Sequence, residues 1–160
     1  MAKILIIGCG AIGYELAKLL AQAGHDITGL KRNPPENHEQ FKFFRADITS
    51  PADLEALETD FEHIFFIVSA DSRNENSYHD IYEIGINNLL TRFAQTGCKA
   101  PWIFVSSTSV YGQAQGEWVD EDSITAPTKS TSIKIVNAEQ KLITHSPDNI
   151  VVRFSGIYGP

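Results

Sequence analysis

Short apolar runs alternate with amphipathic stretches along the whole of this 160-residue sequence. The apolar runs are rich in β-branched and aromatic residues, which is typical of strands buried on both faces of a parallel sheet. The stretches between them carry apolar residues at helical spacing. The pattern predicts strands over residues 3–7, 26–30, 41–45, 63–68, 102–106 and 149–153, and helices over residues 11–23, 51–57, 77–96 and 131–145.

The alternation of strands and helices predicts an α/β fold. Gly24 and Gly97 follow the first and third predicted helices, in the position where glycine often ends a helix. Asn33, Pro34 and Pro35 interrupt the second connection, so its crossover helix should be short or absent. We therefore predict a Rossmann-type doubly wound parallel sheet with helices on both faces and strand order 3-2-1-4-5-6.

A glycine-rich run, Gly-Cys-Gly-Ala-Ile-Gly, stands between the first predicted strand and the first predicted helix. In this G-x-G-x-x-G context the first glycine permits a tight turn, the second lets the backbone approach a diphosphate, and the third lets helix and strand pack closely. The helix start offers N–H groups and partial positive charge to the anion. The alternative is a turn kept for packing alone. We assign to cofactor binding Gly8, Gly10, Ala11, Ile12 and Gly13.

The end of the second predicted strand indicates which dinucleotide is preferred. A carboxylate there would hydrogen-bond the adenosine ribose and favour NAD, but this sequence has Lys31 and Arg32. Two cations suit the 2′-phosphate of NADP. NADP is therefore the expected cofactor and NAD the alternative, in which case both cations are ordinary surface charges.

Residues after the third and fourth predicted strands complete the expected cofactor site. Asp47 and Ile48 follow the third strand, and Ser69 and Ala70 follow the fourth. The Asp47 carboxylate could accept a hydrogen bond from the adenine amino group. It could equally cap the next helix, although Ser50 is better placed for that.

Length and composition limit the classes of protein to which this sequence can belong. At 160 residues with 42% hydrophobic content, the chain can bury one self-standing core, which predicts one dinucleotide-binding domain over residues 1–160. The net charge of -7 would repel nucleic acid, and no stripe of cations offsets it. The apolar run over residues 4–7 is far too short to span a membrane.

Cysteine and histidine usage predicts neither a disulfide framework nor a metal site. Cys9 and Cys98 stand alone, which fits a reducing cytoplasm. The histidines lack the spacing and cysteine neighbours of a zinc site. They are His25, His38, His63, His79 and His145.

Two longer motifs follow the fifth and sixth predicted strands. Residues 105–112 read Val-Ser-Ser-Thr-Ser-Val-Tyr-Gly, and residues 152–160 read Val-Arg-Phe-Ser-Gly-Ile-Tyr-Gly-Pro. On these motifs the chain resembles the extended short-chain dehydrogenase/reductase family, the NAD-dependent epimerase/dehydratase group. Residues 112–122 look most like a small bacterial branch of it. The resemblance implies hydride transfer on nucleotide-linked sugars, with Ser107 polarising the reacting group. Ser107 could equally be a structural hydroxyl at the end of the strand.

The family's catalytic Tyr-x-x-x-Lys pair is missing. Aligning Glu139 with the glutamate that follows this motif in the family places Thr131 at the tyrosine and Ile135 at the lysine. Neither residue can do that chemistry. A shift by one residue gives Ser130 and Lys134, which restores a cation but no phenol.

Other departures leave two functions open. The family's first glycine falls on Ile7. Members of the family continue into a smaller C-terminal substrate domain, whereas this sequence stops at Pro160, so we expect either that the chain is a fragment or that it lacks most of its substrate pocket. One reading is an NADP-dependent oxidoreductase or epimerase with Tyr78, Tyr82 or Tyr111 as substitute acid. The other is a non-catalytic dinucleotide-binding module with a redox-sensing or regulatory role. The resemblance also implies a homodimer through the helices at 77–96 and 131–145.

Overall fold

The computed structural model describes residues 1–36 and 40–157. Within these residues, six parallel strands form one sheet in the order β3-β2-β1-β4-β5-β6, which confirms the predicted fold and strand order. His38 and the Tyr-Gly-Pro end of the second motif lie outside the described residues. The strands are β1 (Lys3–Ile7), β2 (Asp26–Lys31), β3 (Lys42–Arg45), β4 (His63–Phe66), β5 (Trp102–Ser107) and β6 (Ile150–Phe154).

The four predicted helices are present, with different boundaries. The predicted helix over residues 77–96 begins two residues earlier, because the Asn74 side chain accepts a hydrogen bond from the Ser77 amide and caps the start. It also contains a π-helical segment, whose Gly85 packs against Ile48. The helices are α1 (Ala11–Gln22), α2 (Pro51–Leu54), α3 (Glu75–His79), the π segment (Asp80–Gly85), α4 (Ile86–Thr96) and α5 (Ser130–His145).

Strand β4 ends two residues before the predicted boundary because its neighbour β1 ends too. Ile7 pairs with Phe66, and the carbonyl of Ile7 accepts a hydrogen bond from the Ile67 amide. Beyond Ile7 the chain turns into the glycine run, so β4 loses its partner on that side, and its pairing with β5 also ends at Phe66. The two chains then separate at the carboxyl edge of the sheet.

Side chains of β1 alternate between two cores. Leu5 and Ile7 join a cluster that packs under α4 and α5, and Ile4 and Ile6 join a second cluster under α1. Both faces of β1 are therefore buried, as expected for the central strand of a doubly wound sheet. None of the helices over residues 1–36 and 40–157 has the length and apolar character needed to cross a membrane.

Candidate functional site

The glycine run is held between β2 and β4 by its first residue. Gly8 has φ of 88°, and a Cβ added there would lie 2.7 Å from the backbone of Ile67 and Val68. Its amide and that of Cys9 both donate hydrogen bonds to the Leu30 carbonyl, at 3.1 and 3.2 Å. Only glycine suits this left-handed and crowded position. The turn is therefore fixed to both neighbouring strands.

The second and third glycines differ in what surrounds them. A Cβ on Gly13 would lie 2.6 Å from the Gly8 carbonyl oxygen, so this glycine permits close packing of α1 on the turn. A Cβ on Gly10 would meet nothing closer than 4.0 Å. Gly10 precedes the first turn of α1, where the amides of Ala11 and Ile12 have no acceptor within the helix. Space for an anion and donors to bind it occur together at Gly10.

Two pockets meet at this turn, where the order of the strands reverses on either side of β1. In doubly wound sheets this is the place where ligands bind. We call them the β2 pocket and the β5 pocket after the strands that they follow; their cavity volumes are about 180 and 370 Å³, and together they suit a ligand with two halves. Both are lined by Gly8, Gly10, Ile67, Val68 and Ser69.

The β2 pocket brings together most of the residues predicted to bind adenosine. Its further lining residues are Cys9, Leu30, Lys31, Arg32, Ala46, Asp47, Ile48 and Ile81. Cys9 is buried, which raises the pKa of its thiol to about 11, so it is uncharged at neutral pH. Ala70, also predicted for the cofactor site, lines neither pocket.

Asp47 does not cap α2. Its Oδ1 accepts hydrogen bonds from the Thr49 amide and hydroxyl, at 2.9 and 2.7 Å. Ser50 occupies the N-cap position, as the sequence suggested, but its hydroxyl donates to Asp53 instead of accepting from the helix. Asp47 is thus held at the carboxyl end of β3, on the wall of the β2 pocket.

Arg32 has a partner that the sequence analysis did not identify. Its Nη2 lies 2.6 Å from Oδ1 of Asp71, which follows β4. The Asp71 hydrogen bond raises the pKa of Arg32, and the Arg32 hydrogen bond lowers the pKa of Asp71. Residues after β2 and β4 share the carboxyl edge of the sheet, which is the signal that could have predicted this pair.

The β5 pocket contains the serine assigned to catalysis. Ser107 Oγ accepts a hydrogen bond from the Ser109 amide at 3.1 Å, which leaves its own proton available to a ligand. Ser107 thus caps a 3₁₀ turn and also lines the pocket. The further lining residues are Ala11, Ile12, Gly13, Tyr78, Tyr82, Val105, Ser106, Ser107, Ser109, Ile135 and Ile157.

The position aligned with the catalytic lysine faces the β5 pocket. Ile135 lines this pocket and is 5% exposed. Lys134, the cation of the alternative alignment, does not line it. Its ammonium lies 3.0 Å from Glu83 Oε2 and 3.4 Å from His79 Nδ1, against α3 and the π segment. The wall of the pocket is therefore apolar where the family has its cation.

The three tyrosines considered as substitute acids have different surroundings. Tyr82 lines the β5 pocket, but its hydroxyl donates to the Val68 carbonyl at 3.2 Å, and burial raises its pKa. The Tyr111 hydroxyl donates to the Asp120 carbonyl at 2.8 Å. It is not among the residues lining either pocket. Tyr78 is half-buried and lines the β5 pocket, so it is the best placed of the three.

A buried ion pair fixes α5 against the sheet. Glu139 of α5 accepts hydrogen bonds from Nε and Nη2 of Arg153 in β6, at 3.0 and 2.8 Å. It also accepts from the buried Ser106 hydroxyl of β5. The ion pair joins α5 to β6, and the Ser106 hydrogen bond joins α5 to the carboxyl end of β5, where Ser107 lies.

No metal centre is apparent among the described residues. Across residues 1–36 and 40–157, no three His, Cys, Asp or Glu side chains are grouped to hold an ion.

The family model for the NAD dependent epimerase/dehydratase family matches residues 4–144. The match runs from β1 to α5 and includes all the lining residues of the β2 pocket and all those of the β5 pocket except Ile157. This chain belongs to the NAD-dependent epimerase/dehydratase family. No curated protein matches the sequence significantly.

Three solved structures have the same fold as this chain. A protein assigned to the family in Methylobacillus flagellatus is 35% identical, with a TM-score of 0.82, and the match covers 99% of this chain and 56% of that one. TunA, an NAD-dependent NDP-hexosamine 5,6-dehydratase of tunicamycin biosynthesis, is 28% identical with a TM-score of 0.78, over 100% and 56% of the two chains. WbmH of Bordetella bronchiseptica, solved with NAD+, is 20% identical with a TM-score of 0.82, over 100% and 57%. The chain thus spans little more than half the length of these three proteins.

Proposed function

We propose that this chain binds a nicotinamide dinucleotide across the two pockets, with the diphosphate at the first turn of α1. The observation that carries the proposal is the open space at Gly10, set between the pockets and next to the amides of Ala11 and Ile12. A helix start at this place stabilises a bound anion. The NAD dependence of TunA, a relative of the same fold, supports the same ligand class.

The adenosine half belongs in the β2 pocket, and NADP is the preferred form. Lys31 and Arg32 line this pocket and can face a 2′-phosphate, while Asp47 can accept a hydrogen bond from the adenine amino group. The nicotinamide half then lies in the β5 pocket, beside Ser107 and Ile135.

The double variant Lys31→Ala/Arg32→Ala tests the cofactor preference. We expect the NADP dissociation constant to rise about tenfold or more, because charge-assisted bonds to the 2′-phosphate are lost. The NAD dissociation constant should change by less than about threefold, since NAD has no such phosphate. Isothermal titration calorimetry with both cofactors measures this.

The matched control is Lys18→Ala/Lys42→Ala, which removes two cations of α1 and the start of β3, away from both pockets. It should leave the ratio of the two affinities unchanged. Equal losses of NAD and NADP affinity in the Lys31→Ala/Arg32→Ala variant would refute the NADP assignment. Failure of the wild-type chain to bind either cofactor would refute dinucleotide binding itself.

Binding without turnover fits the site better than catalysis does. The aligned catalytic positions hold Thr131 and Ile135, and Lys134 is bound to Glu83. The site has the elements that would bind a dinucleotide. It lacks, at the aligned positions, the tyrosine acid and the lysine cation that transfer a proton in the family. We therefore favour a redox-sensing or partner-regulating role, as a cytoplasmic protein and a homodimer through α4 and α5.

A second candidate is hydride transfer to or from a nucleotide-linked sugar, favoured by the presence of Ser107 and Tyr78 in one pocket. Ser107 would polarise the reacting oxygen, and Tyr78 would exchange its proton. When bound, the nicotinamide would supply or accept the hydride.

The variant Tyr78→Phe distinguishes a catalytic role of Tyr78 from dinucleotide binding without turnover. If Tyr78 is the acid, the rate of NADPH oxidation with a nucleotide sugar or carbonyl compound should fall about 100-fold or more. The NADPH dissociation constant should stay within about threefold of the wild-type value, because Tyr78 lines the β5 pocket and not the β2 pocket that contains Lys31 and Arg32. Tyr14→Phe, on α1, is the control phenol. Absence of turnover in the wild type across these substrates would leave the binding role as the function.

A further inference from the structure

The Arg32–Asp71 ion pair lies beside the β2 pocket, which Arg32 lines. Arg32 follows β2 and Asp71 follows β4, the two strands that flank β1. The 2.6 Å contact therefore connects the two sides of the crevice in front of the glycine turn. The two side chains are 49% and 60% exposed, so the pair can exchange partners without any change in the core.

A 2′-phosphate and Asp71 compete for the same guanidinium. A planar guanidinium binds a phosphate best through two parallel N–H donors. In Arg32 one of these donors, Nη2, is already bound to the Asp71 carboxylate. Asp47 is a second, weaker source of negative charge on Arg32. A phosphate dianion placed on Arg32 would lie within a Debye length of both carboxylates and be repelled by them. NAD carries no charge at this position and meets no such competition.

We infer that Asp71 is a specificity-determining residue, which weakens NADP relative to NAD by holding Arg32. This inference rests on the proposed binding of a dinucleotide and adds to it the side chain that limits the NADP preference. Lys31, the other cation of the pocket wall, has no ion-pair partner among residues 1–36 and 40–157. Lys31 therefore supplies the part of the 2′-phosphate affinity that Asp71 does not oppose.

The test is a double-mutant cycle of Asp71→Asn and Arg32→Ala, with NADPH and NADH affinities measured by calorimetry on the four proteins. Asparagine keeps the size of the side chain and removes its charge. We expect Asp71→Asn to lower the NADPH dissociation constant about fivefold and to leave that of NADH within about twofold. In the Arg32→Ala background Asp71→Asn should have no comparable effect on NADPH, because the guanidinium that it releases is gone.

The matched control is Asp60→Asn. Asp60 also forms an exposed 2.6 Å ion pair, with Lys3 at the start of β1, away from both pockets. This variant removes one negative charge from the protein without releasing Arg32, so both affinities should stay at their wild-type values.

Each remaining outcome contradicts the inference in a recognisable way. An equal gain in NADPH affinity with and without Arg32 means that Asp71 acts by long-range repulsion alone. A loss of NADPH affinity in Asp71→Asn means that Asp71 orients Arg32 for the phosphate instead of competing with it. Normal wild-type binding with no response to Asp71→Asn overturns this inference alone, whereas absence of binding in the wild type overturns the proposed function together with it.

Discussion

Replacing Glu139 with alanine is expected to lower the free energy of unfolding by about 3 kcal/mol, the low end of the range for breaking a buried ion pair, because Glu139 is buried and its partner Arg153 is 21% exposed. The Glu139 side chain is 5% exposed and binds the Arg153 guanidinium through both oxygens. Without it, Arg153 and the buried Ser106 hydroxyl lose a common acceptor. Urea unfolding followed by circular dichroism measures the change.

The exposed pair between Glu83 and Lys134 is the control for this prediction. Glu83→Ala removes a carboxylate that is 45% exposed, 3.0 Å from its lysine, and should lower the free energy of unfolding far less than Glu139→Ala does. Glu139→Gln keeps the side-chain volume and one acceptor oxygen, so its cost should lie between the two. Equal costs for Glu139→Ala and Glu83→Ala would show that burial of the Arg153 pair does not contribute as described.

Gly10→Ala is expected to weaken dinucleotide binding about 100-fold or more, while it changes the free energy of unfolding by less than about 1 kcal/mol. The added methyl group meets no protein atom closer than 4.0 Å, and φ of -83° suits alanine. It would occupy the space in which the diphosphate approaches the start of α1. Calorimetry with NADPH and thermal unfolding of the free protein measure the two effects.

Gly13→Ala should instead destabilise the free protein, unlike Gly10→Ala. Its methyl group would lie 2.6 Å from the Gly8 carbonyl oxygen, so the free protein should lose about 1 to 3 kcal/mol of stability. Wild-type affinity in Gly10→Ala would place the diphosphate elsewhere than the first turn of α1.

Much of the fold could be predicted because it depends on local periodicity. Alternating apolar positions place residues such as Ile6 and Ile7 on opposite faces of β1, and right-handed crossovers leave few arrangements of the strands. Boundaries were less accurate. The predicted strand at 63–68 is shorter in the structure because β4 ends where β1 turns into the glycine run. That limit is set by a neighbouring strand and not by the residues of β4.

The candidate site was predictable in its backbone and less so in its side chains. The position of the glycine run could be predicted from the sequence, because the tight turn, the space for a diphosphate and the close helix packing all depend on glycines within one short run. Tyr78 could not be distinguished from Tyr82 in the sequence, because both occur in one amphipathic stretch. The structure separates them: the Tyr82 hydroxyl is bound to the Val68 carbonyl.

The sequence by itself determined the doubly wound sheet, the glycine turn at its carboxyl edge and the absence of Tyr and Lys from the aligned catalytic positions. Tertiary structure alone decided which charges meet: Arg32 with Asp71, 39 residues away, and Glu139 with Arg153, 14 residues away. Spacing along the chain specifies which face of an element a residue occupies. The partner of a charged side chain depends instead on how neighbouring elements are packed, which no local pattern records.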